Sequence, residues 1–507
     1  MKYDSIHSPF IITVTGPSQS GKSTVLDKIE KLAKRLKNEG YRFVPARVTK
    51  ETTRSLRVEE MIALDRGEVI DVKNVEKISE ECDLVYQTYG IRYGLSTDFL
   101  RRLLEEGKSP FVVVNDIRAV EELKKVFPNK VLALFLFRKM PDIVDFEKVS
   151  GDRGNVAPEE SKKRYEKAIA IYRMYIENIA LFDRVILNAI EYAKEGNVRR
   201  QNIIDEQLYR VVKGVLDGEI LLRQKSSTLH SDVPKTFIIA GNSASGKDEI
   251  VRAIQSMGKL DAKILPKFTT RKQQKGDETE MICRLVPNAN VLKEYDVAYE
   301  TDKTRVIKSL SALDKDVRTR FRKQWAEMQT RIVDSIETGT DRFWREVAEK
   351  EKTNEINNYF EPNVDYVDLE DVEKNGKICE LDENDGTAIR EYLGEKFITY
   401  RGNGKLYGFK VKETKVGGKF HVVVASNLGV FNLMKKELGV NNVVVIYAHS
   451  QISGKKVADF DRLLQSYVDN IVKYDHVAIF AQSLREENKS MEEEELIDQM
   501  FRLFRVY

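Results

Sequence analysis

Two glycine-rich loops of similar composition stand 225 positions apart in this chain of 507 residues. GPSQSGKS (16–23) follows the apolar run FIITV, GNSASGKD (241–248) follows the apolar run FIIA, and a helical pattern comes after each loop. A strand that turns through glycines into a helix N-terminus points several backbone N–H groups at one spot, where the helix dipole adds positive potential. The lysine of such a loop reaches the outer phosphates of a nucleotide. The spacing therefore predicts two phosphate-binding loops.

The residues expected to bind a nucleotide belong to these loops and to the helical turn that follows each. They are Gly16, Ser18, Ser20, Gly21, Lys22, Ser23 and Thr24 in the first loop, and Gly241, Ser243, Ser245, Gly246, Lys247 and Asp248 in the second. The hydroxyl of Ser23 is the expected Mg²⁺ ligand. Asp248 stands at the equivalent place in the second loop, where a carboxylate ligates Mg²⁺ but also repels phosphate. The second loop is therefore the weaker candidate.

The composition is that of an ordinary globular protein. Hydrophobic residues make up 41% of the chain and charged residues 33%, and the net charge of +3 is too small to indicate a nucleic-acid surface. The three cysteines, Cys82, Cys283 and Cys379, lack the spacing of a metal site. The N-terminus lacks a signal-peptide pattern, and no apolar run reaches transmembrane length. We expect a cytoplasmic protein without a membrane partner.

The repeat extends beyond the loops and keeps its order. The matching segments are ETTRSLR (51–57) with FTTRKQQK (268–275), YQTYGIRYG (86–94) with YRGNGKLYG (400–408), SPFVVVNDIRAVEEL (109–123) with GKFHVVVASNLGVFNL (418–433), VLALFLF (131–137) with VVVIY (443–447), and FDRVILN (182–188) with YDHVAIF (474–480). Five matches in one order indicate a duplication. Strands that alternate with helical stretches predict an α/β fold with a parallel sheet flanked by helices in each half.

The predicted domains are residues 1–222 and 236–507, joined by a polar linker at 223–235. The second half is longer because of an insertion at about 290–390, which reads as long charged helices followed by an acidic, loop-rich stretch. Trp325 and Trp344, the only tryptophans, lie on those helices. They either pack against the domain or form a face for a protein partner.

Residues 8 to about 215 resemble the guanylate kinase-like branch of the nucleoside monophosphate kinases, on the motifs GPSQSGKS, TTRSLR, YGIRYG, VVVND and FDRVILN. The resemblance implies two tandem P-loop kinase domains, with ATP and Mg²⁺ as cofactors. It also implies that Arg54, Arg57 and Tyr93 bind the acceptor phosphate, with Tyr86 in the same pocket. Guanidinium forks suit that task because they match phosphate oxygens in pairs.

The resemblance assigns catalytic roles to further residues. Lys22 acts on the transferring phosphoryl group together with arginines at lid-like places, which are Arg138, Arg153 and Arg164. Each of these three arginines is otherwise a solvated surface residue. Asp116 and Arg118 follow a strand, at the edge where ligands bind in open α/β sheets. There Asp116 orients water or the acceptor hydroxyl and Arg118 binds a second phosphate, unless the two form an internal salt bridge.

One departure from the family pattern concerns the base. Guanylate kinases read guanine with an acidic residue about nine positions before the tyrosine of the Tyr-Gly motif, and that place is Leu84 here. A leucine accepts no hydrogen bond from guanine. The segments LVYQTYGIRYGLST and VVVNDIRAV are closer to the ribose 1,5-bisphosphate kinases, whose acceptor is a sugar phosphate without a base. Asn115 lies in the second of these segments.

The second half departs more strongly from the pattern. Asp116 and Arg118 have Ser426 and Leu428 as their predicted counterparts, and Gln274 stands for the second acceptor arginine. We therefore expect a divergent copy that either takes a different substrate or only binds ligand. For the whole chain we predict an ATP-dependent phosphotransferase that acts on a nucleoside monophosphate or a similar small phosphorylated acceptor, with its active site in the N-terminal half. A sugar phosphate kinase and a non-catalytic nucleotide sensor or scaffold remain open as alternatives.

Overall fold

The computed structural model describes most of both halves. The described residues are 8–17, 20–88, 90–138, 158–188, 201–222, 235–241, 245–256, 262–265, 267–269, 280–283, 305–309, 369–402, 404–411, 420–450, 457–480 and 489–506. The chain divides into two compact units, one of residues 1–230, 242–246 and 446–507 and the other of residues 231–241 and 247–445. The predicted linker lies almost wholly outside the described residues, so the predicted domain boundary stays a prediction.

The strands, numbered in chain order, are β1 Ile11–Thr15, β2 Pro45–Arg47, β3 Lys50–Thr52, β4 Val72–Asn74, β5 Leu84–Thr88, β6 Ile91–Leu95, β7 Ser109–Val113, β8 Val131–Arg138, β9 Arg184–Asn188, β10 Lys235–Ala240, β11 Ala262–Ile264, β12 Lys267–Thr269, β13 Glu280–Cys283, β14 Arg305–Ser309, β15 Lys377–Asp382, β16 Thr387–Tyr392, β17 Glu395–Gly402, β18 Lys405–Lys410, β19 Phe420–Val424, β20 Val443–Ser450 and β21 His476–Phe480. The helices are α1 Lys22–Asn38, α2 Val58–Asp65, α3 Thr97–Glu105, α4 Ile117–Val126, α5 Pro158–Glu177, α6 Gln201–Leu216, α7 Lys247–Ser256, α8 Leu369–Asn375, α9 Leu428–Leu438, α10 Val457–Asn470 and α11 Lys489–Val506. None of the described helices is both long and apolar enough to cross a membrane.

The first sheet carries the first glycine loop. Its strands have the order β2-β7-β1-β8-β9 and run parallel. Strands β1, β7 and β9 are buried along their whole length, as is β8 up to its last residue. Continuous apolar runs are what a parallel sheet needs, because helices cover both of its faces. Strand β1 lies at the centre, so its loop opens where the strand order reverses, which is the usual place of a ligand.

The second sheet repeats this order as β11-β19-β10-β20-β21, in which β10 and β19, β11 and β19, and β20 and β21 pair in parallel. Numbered within each sheet, both orders read 2-3-1-4-5. The predicted fold class, α/β with parallel sheets flanked by helices, is confirmed.

Two further sheets contain antiparallel pairs. The sheet β4-β3-β6-β5 holds the TTR and Tyr-Gly segments of the first half, and a seven-stranded sheet holds those of the second. The prediction of a loop-rich end to the insertion is wrong, since residues 377–382 and 387–392 pair as antiparallel strands. Its acidic composition concealed this, because β15 is an edge strand whose residues are largely exposed to solvent. The predicted charged helices, with Trp325 and Trp344, lie outside the described residues.

The FDR motif of the first half ties a helix to two strands. Asp183 accepts bonds from the buried Lys124 ammonium on α4, at 2.8 and 2.9 Å, and from the Ala133 amide on β8, at 2.7 Å. Because both charged groups are largely buried, removing one leaves the other without compensation. This motif therefore serves the fold.

We predict that Asp183→Ala lowers the free energy of unfolding by about 3 kcal/mol, because it leaves the Lys124 ammonium buried without its carboxylate. Glu122→Ala, which breaks the exposed pair between Lys125 and Glu122, is the matched control and costs less than about 1 kcal/mol. Chemical denaturation of the full chain measures both. Equal losses in the two variants contradict the structural role of Asp183.

Candidate functional site

The first glycine loop closes around its own lysine. The Lys22 ammonium donates to the carbonyl oxygens of Gly16, at 2.8 Å, and Pro17, at 2.6 Å. Gly21 has a φ of +95°, in the region that favours glycine, and a Cβ on Gly16 would lie 2.8 Å from the Leu136 carbonyl oxygen. Both glycines are therefore required by the backbone, and the loop holds Lys22 at the start of α1.

The loop also presents a hydroxyl group without a partner. Ser20 is 1% exposed, and among the described residues nothing hydrogen-bonds to its Oγ. A buried hydroxyl without a partner is costly, and a bound anion satisfies it. Ser23 and Thr24 lie exposed in the first turn of α1, where their hydroxyls are accessible. Ser18 lies outside the described residues.

Two asparagines, one just after β7 and one at the end of β9, fix the loop. The Gly16 amide donates to Asn115 Oδ1 at 3.2 Å, and Asn188 Nδ2 donates to the Ser20 carbonyl at 2.6 Å. Asn188 is buried and also lies 2.8 Å from where a Cβ on Gly21 would be. The loop is thus held at both ends by side chains that follow β7 and end β9.

Positive charge accumulates beside the loop. Burial away from water, with the neighbouring charges of Arg57 and Lys50, lowers the pKa of Lys22 to about 7, and Asp71 opposes this shift. Burial likewise lowers the pKa of Lys50 to about 8. The Lys50 ammonium donates to the Val113 carbonyl at 2.6 Å. A bound anion would relieve the repulsion among these cations.

The predicted acceptor residues surround the same space. Arg54 binds Glu60 through both ends of its guanidinium, at 2.7 and 2.5 Å, and this bond raises its pKa. Arg57 is exposed at the start of α2, where its amide donates to Glu60. Tyr93 also interacts with Arg54 and helps to raise the pKa of that arginine. Its ring stacks on the buried Tyr86, with ring centroids 5.5 Å apart. A phosphate that binds Arg54 would compete with Glu60 for its guanidinium.

The other predicted residues have different surroundings. Asp116 is the N-cap of α4, and its carboxylate accepts the Ala119 amide at 2.9 Å. Arg118 is exposed in the first turn of that helix. Arg138 ends β8, and its backbone is bonded to the Tyr172 hydroxyl of α5. Arg153 and the side chain of Arg164 lie outside the described residues, so their catalytic roles stay predictions.

The predicted counterparts of Asp116 and Arg118 are wrong by one position. When the two glycine loops are aligned, Ile12 of β1 is equivalent to Phe237 of β10. Ile12 pairs with Phe111, and Phe237 pairs with Val422. This register matches Asp116 with Asn427, which caps α9 as Asp116 caps α4. It also matches Asn115 with Ser426 and Arg118 with Gly429. Sequence alignment slipped because both strands are runs of valine.

The second glycine loop keeps the lysine contact. The Lys247 ammonium donates to the Gly241 carbonyl at 2.8 Å, and Ser426 Oγ donates to the same carbonyl at 2.6 Å. Ser245 is buried, and in the described part of the chain no hydrogen bond reaches its Oγ. Gly246 has a φ of +91°. Ser243 and the side chain of Asp248 lie outside the described residues.

The tyrosine stack and its nearby lysine have a counterpart in the second half. Tyr400 stacks on Tyr407 with centroids 5.2 Å apart, and the Lys267 ammonium lies 5.9 Å from the Tyr407 ring. In the first half the Lys50 ammonium lies 5.4 Å from the Tyr93 ring. The same ammonium and stacked tyrosines thus occur twice.

Sequence reasoning missed Lys50, Glu60 and Asn188. Lys50 was detectable, because a lysine stands four positions before the arginine of TTR in both halves, as Lys50 and Lys267. Asn188 was detectable because it is a polar residue at the end of the repeated FDR segment, where the second half has Phe480. Nothing in the sequence indicates that Glu60 binds Arg54.

A metal at this site would depend on the nucleotide for most of its ligands. Within the described residues no group of three His, Cys, Asp or Glu side chains is placed to hold a metal ion. Mg²⁺ needs few protein ligands when it binds substrate phosphates, and it keeps several waters. The Ser23 hydroxyl therefore fits Mg²⁺ bound with a nucleotide.

Comparison with solved structures finds a similarity to guanylate kinase from Anaplasma phagocytophilum, at 14% sequence identity and a TM-score of 0.24. The match covers 42% of this chain and 87% of that protein. No protein-family model and no curated protein matches the chain. What the site does must therefore follow from its own residues.

We predict that anion binding at the first loop takes up a proton. Above about pH 7 the free protein holds Lys22 largely neutral, and a bound anion favours its charged form. Affinity for inorganic tripolyphosphate therefore falls as pH rises from 7 to 9, by up to about tenfold per pH unit for one linked proton. Calorimetry in buffers of different ionisation enthalpy counts the protons.

Lys22→Met is the control for this experiment, because it removes the titrating group while keeping a long side chain. Protons taken up by tripolyphosphate itself appear in both proteins. The same proton uptake in the wild type and in Lys22→Met contradicts the assignment of that proton to Lys22.

Proposed function

We propose that the first half is an ATP-dependent phosphotransferase whose acceptor is a small phosphorylated molecule. One observation carries the proposal: Lys22, Lys50 and Arg57 interact beside a glycine loop that holds a buried serine hydroxyl without a partner among the described residues. An anion site with basic groups on two sides suits the transfer of a phosphoryl group between two phosphorylated molecules.

The donor site is the glycine loop. Its amides and the dipole of α1 suit the β- and γ-phosphates of ATP. On binding, the Lys22 ammonium would exchange its bonds to the Gly16 and Pro17 carbonyls for phosphate oxygens. The Ser23 hydroxyl would hold Mg²⁺, which supplies neutralisation of phosphate charge when bound.

The acceptor site lies toward Arg54, Arg57 and Tyr93. The Arg54 guanidinium already forms a two-point contact with a carboxylate, the geometry that also suits a phosphate. Once Glu60 is displaced, the same fork would orient the acceptor. Leu84 is buried in β5, so it offers no carboxylate to a guanine base.

In this proposal the residues act by position and charge. The acceptor oxygen attacks the γ-phosphorus in line, and the bond from that phosphorus to the β–γ bridging oxygen breaks. Lys22 neutralises charge on the transferring group, and we expect Arg138, Arg153 and Arg164 to act on it from the lid. Phosphoryl transfer needs little covalent help from the protein, so positioning supplies most of the rate.

Lys50 supports the sugar phosphate alternative over a nucleoside monophosphate. It places a second buried cation next to the acceptor tyrosines, and a buried cation favours a second anionic group more than a neutral base. The preference of the purified enzyme between nucleoside monophosphates and ribose phosphates tests this choice. Slow ATP hydrolysis that no acceptor accelerates favours the nucleotide-sensor alternative.

The second half, in our proposal, is a duplicated and divergent copy. Its support is the repeated strand order, the Lys247 contact and the Tyr400–Tyr407 stack. Asp248 and Gly429 replace residues expected to serve chemistry in the first half. We propose that this half binds a nucleotide without transferring a phosphoryl group.

We predict that Lys22→Ala lowers turnover by at least about 100-fold, as expected for loss of one preorganised charge. Lys247→Ala, the matched substitution in the second loop, leaves more than half of the activity. A coupled assay of ADP release over nucleoside monophosphates, their deoxy forms and ribose phosphates measures both. The opposite ranking of the two variants places the active site in the second half.

We predict that Arg54→Ala weakens the acceptor and leaves the donor nearly intact. Loss of a charged two-point contact costs about 2 kcal/mol, or roughly 30-fold in kcat/KM for the acceptor. Arg101→Ala, an exposed arginine paired with Asp98 on α3, is the control. A raised KM for ATP with an unchanged acceptor KM contradicts the acceptor assignment.

A further inference from the structure

Strands β9 and β21 are the edge strands of the two parallel sheets. On the outer side of an edge strand, the N–H and C=O groups of alternate residues have no partner in the sheet. Where these groups are buried, they need a hydrogen-bond partner from elsewhere in the protein. Both strands belong to the first compact unit, and their core residues, such as Val185 and Val477, are buried. The partners of their outer edges are therefore informative.

On each edge strand, a glutamine side chain hydrogen-bonds the backbone of one residue. Gln207 of α6 bonds both the amide and the carbonyl of Leu187, at 2.8 and 2.9 Å. Gln499 of α11 bonds both groups of Ile479, at 3.2 and 3.0 Å. Each glutamine belongs to the same half of the chain as the strand that it completes.

Two residues earlier on each edge strand, a tyrosine bonds the backbone carbonyl, and this tyrosine comes from the other half of the chain. Tyr467 of α10 donates to the Val185 carbonyl of β9 at 2.7 Å, and Tyr175 of α5 donates to the Val477 carbonyl of β21 at 2.7 Å. Tyr467 and Val477 each lie 292 positions after Tyr175 and Val185. This reciprocity is the signature of an isologous contact, in which one surface pairs with its own copy.

The two strands differ in what comes next. Strand β9 ends at Asn188, which donates to the Ser20 carbonyl of the first loop at 2.6 Å. Strand β21 ends at Phe480, whose side chain has no group that forms a comparable hydrogen bond. The loop bond at Asn188 therefore lies three positions after the tyrosine bond at Val185, and β21 has Phe480 at the place of that asparagine.

We propose that Tyr467 of the second half is a positioning residue for the first phosphate-binding loop. Its hydroxyl fixes the outer edge of β9, and β9 fixes Ser20 through Asn188. Tyr175 makes the same bond to β21, but that strand ends at Phe480, which has no side-chain amide to bond to the second loop. The symmetric interface thus has an asymmetric effect. This inference concerns the order of the loop and does not require the proposed transferase activity.

Other contacts across the same surface keep it assembled when one hydroxyl is removed. Arg184 donates to the Val472 carbonyl at 3.0 Å, and Arg210 pairs with Asp469 at 3.0 Å. Phenylalanine keeps the tyrosine rings in their aromatic clusters, which for Tyr467 include Tyr447 and Tyr474. We therefore expect Tyr467→Phe and Tyr175→Phe to fold and to lower the melting temperature by similar amounts.

The test compares these two variants of the full chain by hydrogen exchange, followed by mass spectrometry. In Tyr467→Phe, exchange of the amides at 20–22 rises by about threefold to tenfold, the factor expected for losing one neutral hydrogen bond. In Tyr175→Phe, exchange at 20–22 and at 245–247 stays at the wild-type level. An equal rise at 20–22 in both variants, or no rise in Tyr467→Phe, overturns the proposal.

A double variant tests the path itself. Asn188→Ala cuts the bond between β9 and Ser20 directly and raises exchange at 20–22. Adding Tyr467→Phe to it gives no further rise, because both substitutions interrupt one path. Independent, multiplying effects overturn the proposal. ATP affinity of the same proteins is a separate readout: a wild type that binds no ATP refutes the proposed function and leaves the exchange result to decide this inference.

Discussion

The site depends on positive charges held close together and away from water, which Asp71 offsets only in part. Lys22 and Lys50 are held near one another and near Arg57, and repulsion and burial lower the pKa of both lysines. The fold tolerates this because backbone carbonyls accept bonds from both ammonium groups. Glu60 supplies a carboxylate for Arg54. Each of these contacts could be exchanged for a contact with a phosphate oxygen.

Much of this arrangement could be predicted from the sequence. The apolar runs before both glycine loops predicted the central strands, and the resemblance of the TTR and Tyr-Gly segments to a kinase family predicted roles for Arg54 and Tyr93 that stay predictions. Pattern alone did not reveal the partners of these side chains. The bond between Glu60 and Arg54 depends on how α2 starts, and the bond between Asn188 and Ser20 joins residues 168 positions apart. Such contacts are set by the packing of strands, which a single sequence does not encode locally.

The errors have physical causes too. Strands β7 and β19 are runs of valine, in which a shift by one residue leaves the composition unchanged, so the counterparts of Asp116 and Arg118 were misplaced. The hydrogen bonds of the sheet fix the register, and the shared N-cap role of Asp116 and Asn427 supports it. Strand β15 was missed because an exposed edge strand needs no apolar alternation.

The corrected register separates residues that serve the fold from residues that serve the loop. Tyr175 and Tyr467, and likewise the two glutamines, keep the same bonds in both halves, because both sheets have edges to complete. Asn115 accepts a bond from the Gly16 amide, whereas its counterpart Ser426 donates to the Gly241 carbonyl. The side chain thus accepts a hydrogen bond in the first half and donates one in the second, and Phe480 stands at the place of Asn188. A fold can be retained while its site changes. Here the retained contacts lie along the shared edge strands, and the changed ones touch the glycine loop. The second half therefore shares the contacts along the edge strands, and it has Phe480 where the first half has the Asn188 amide that holds its loop.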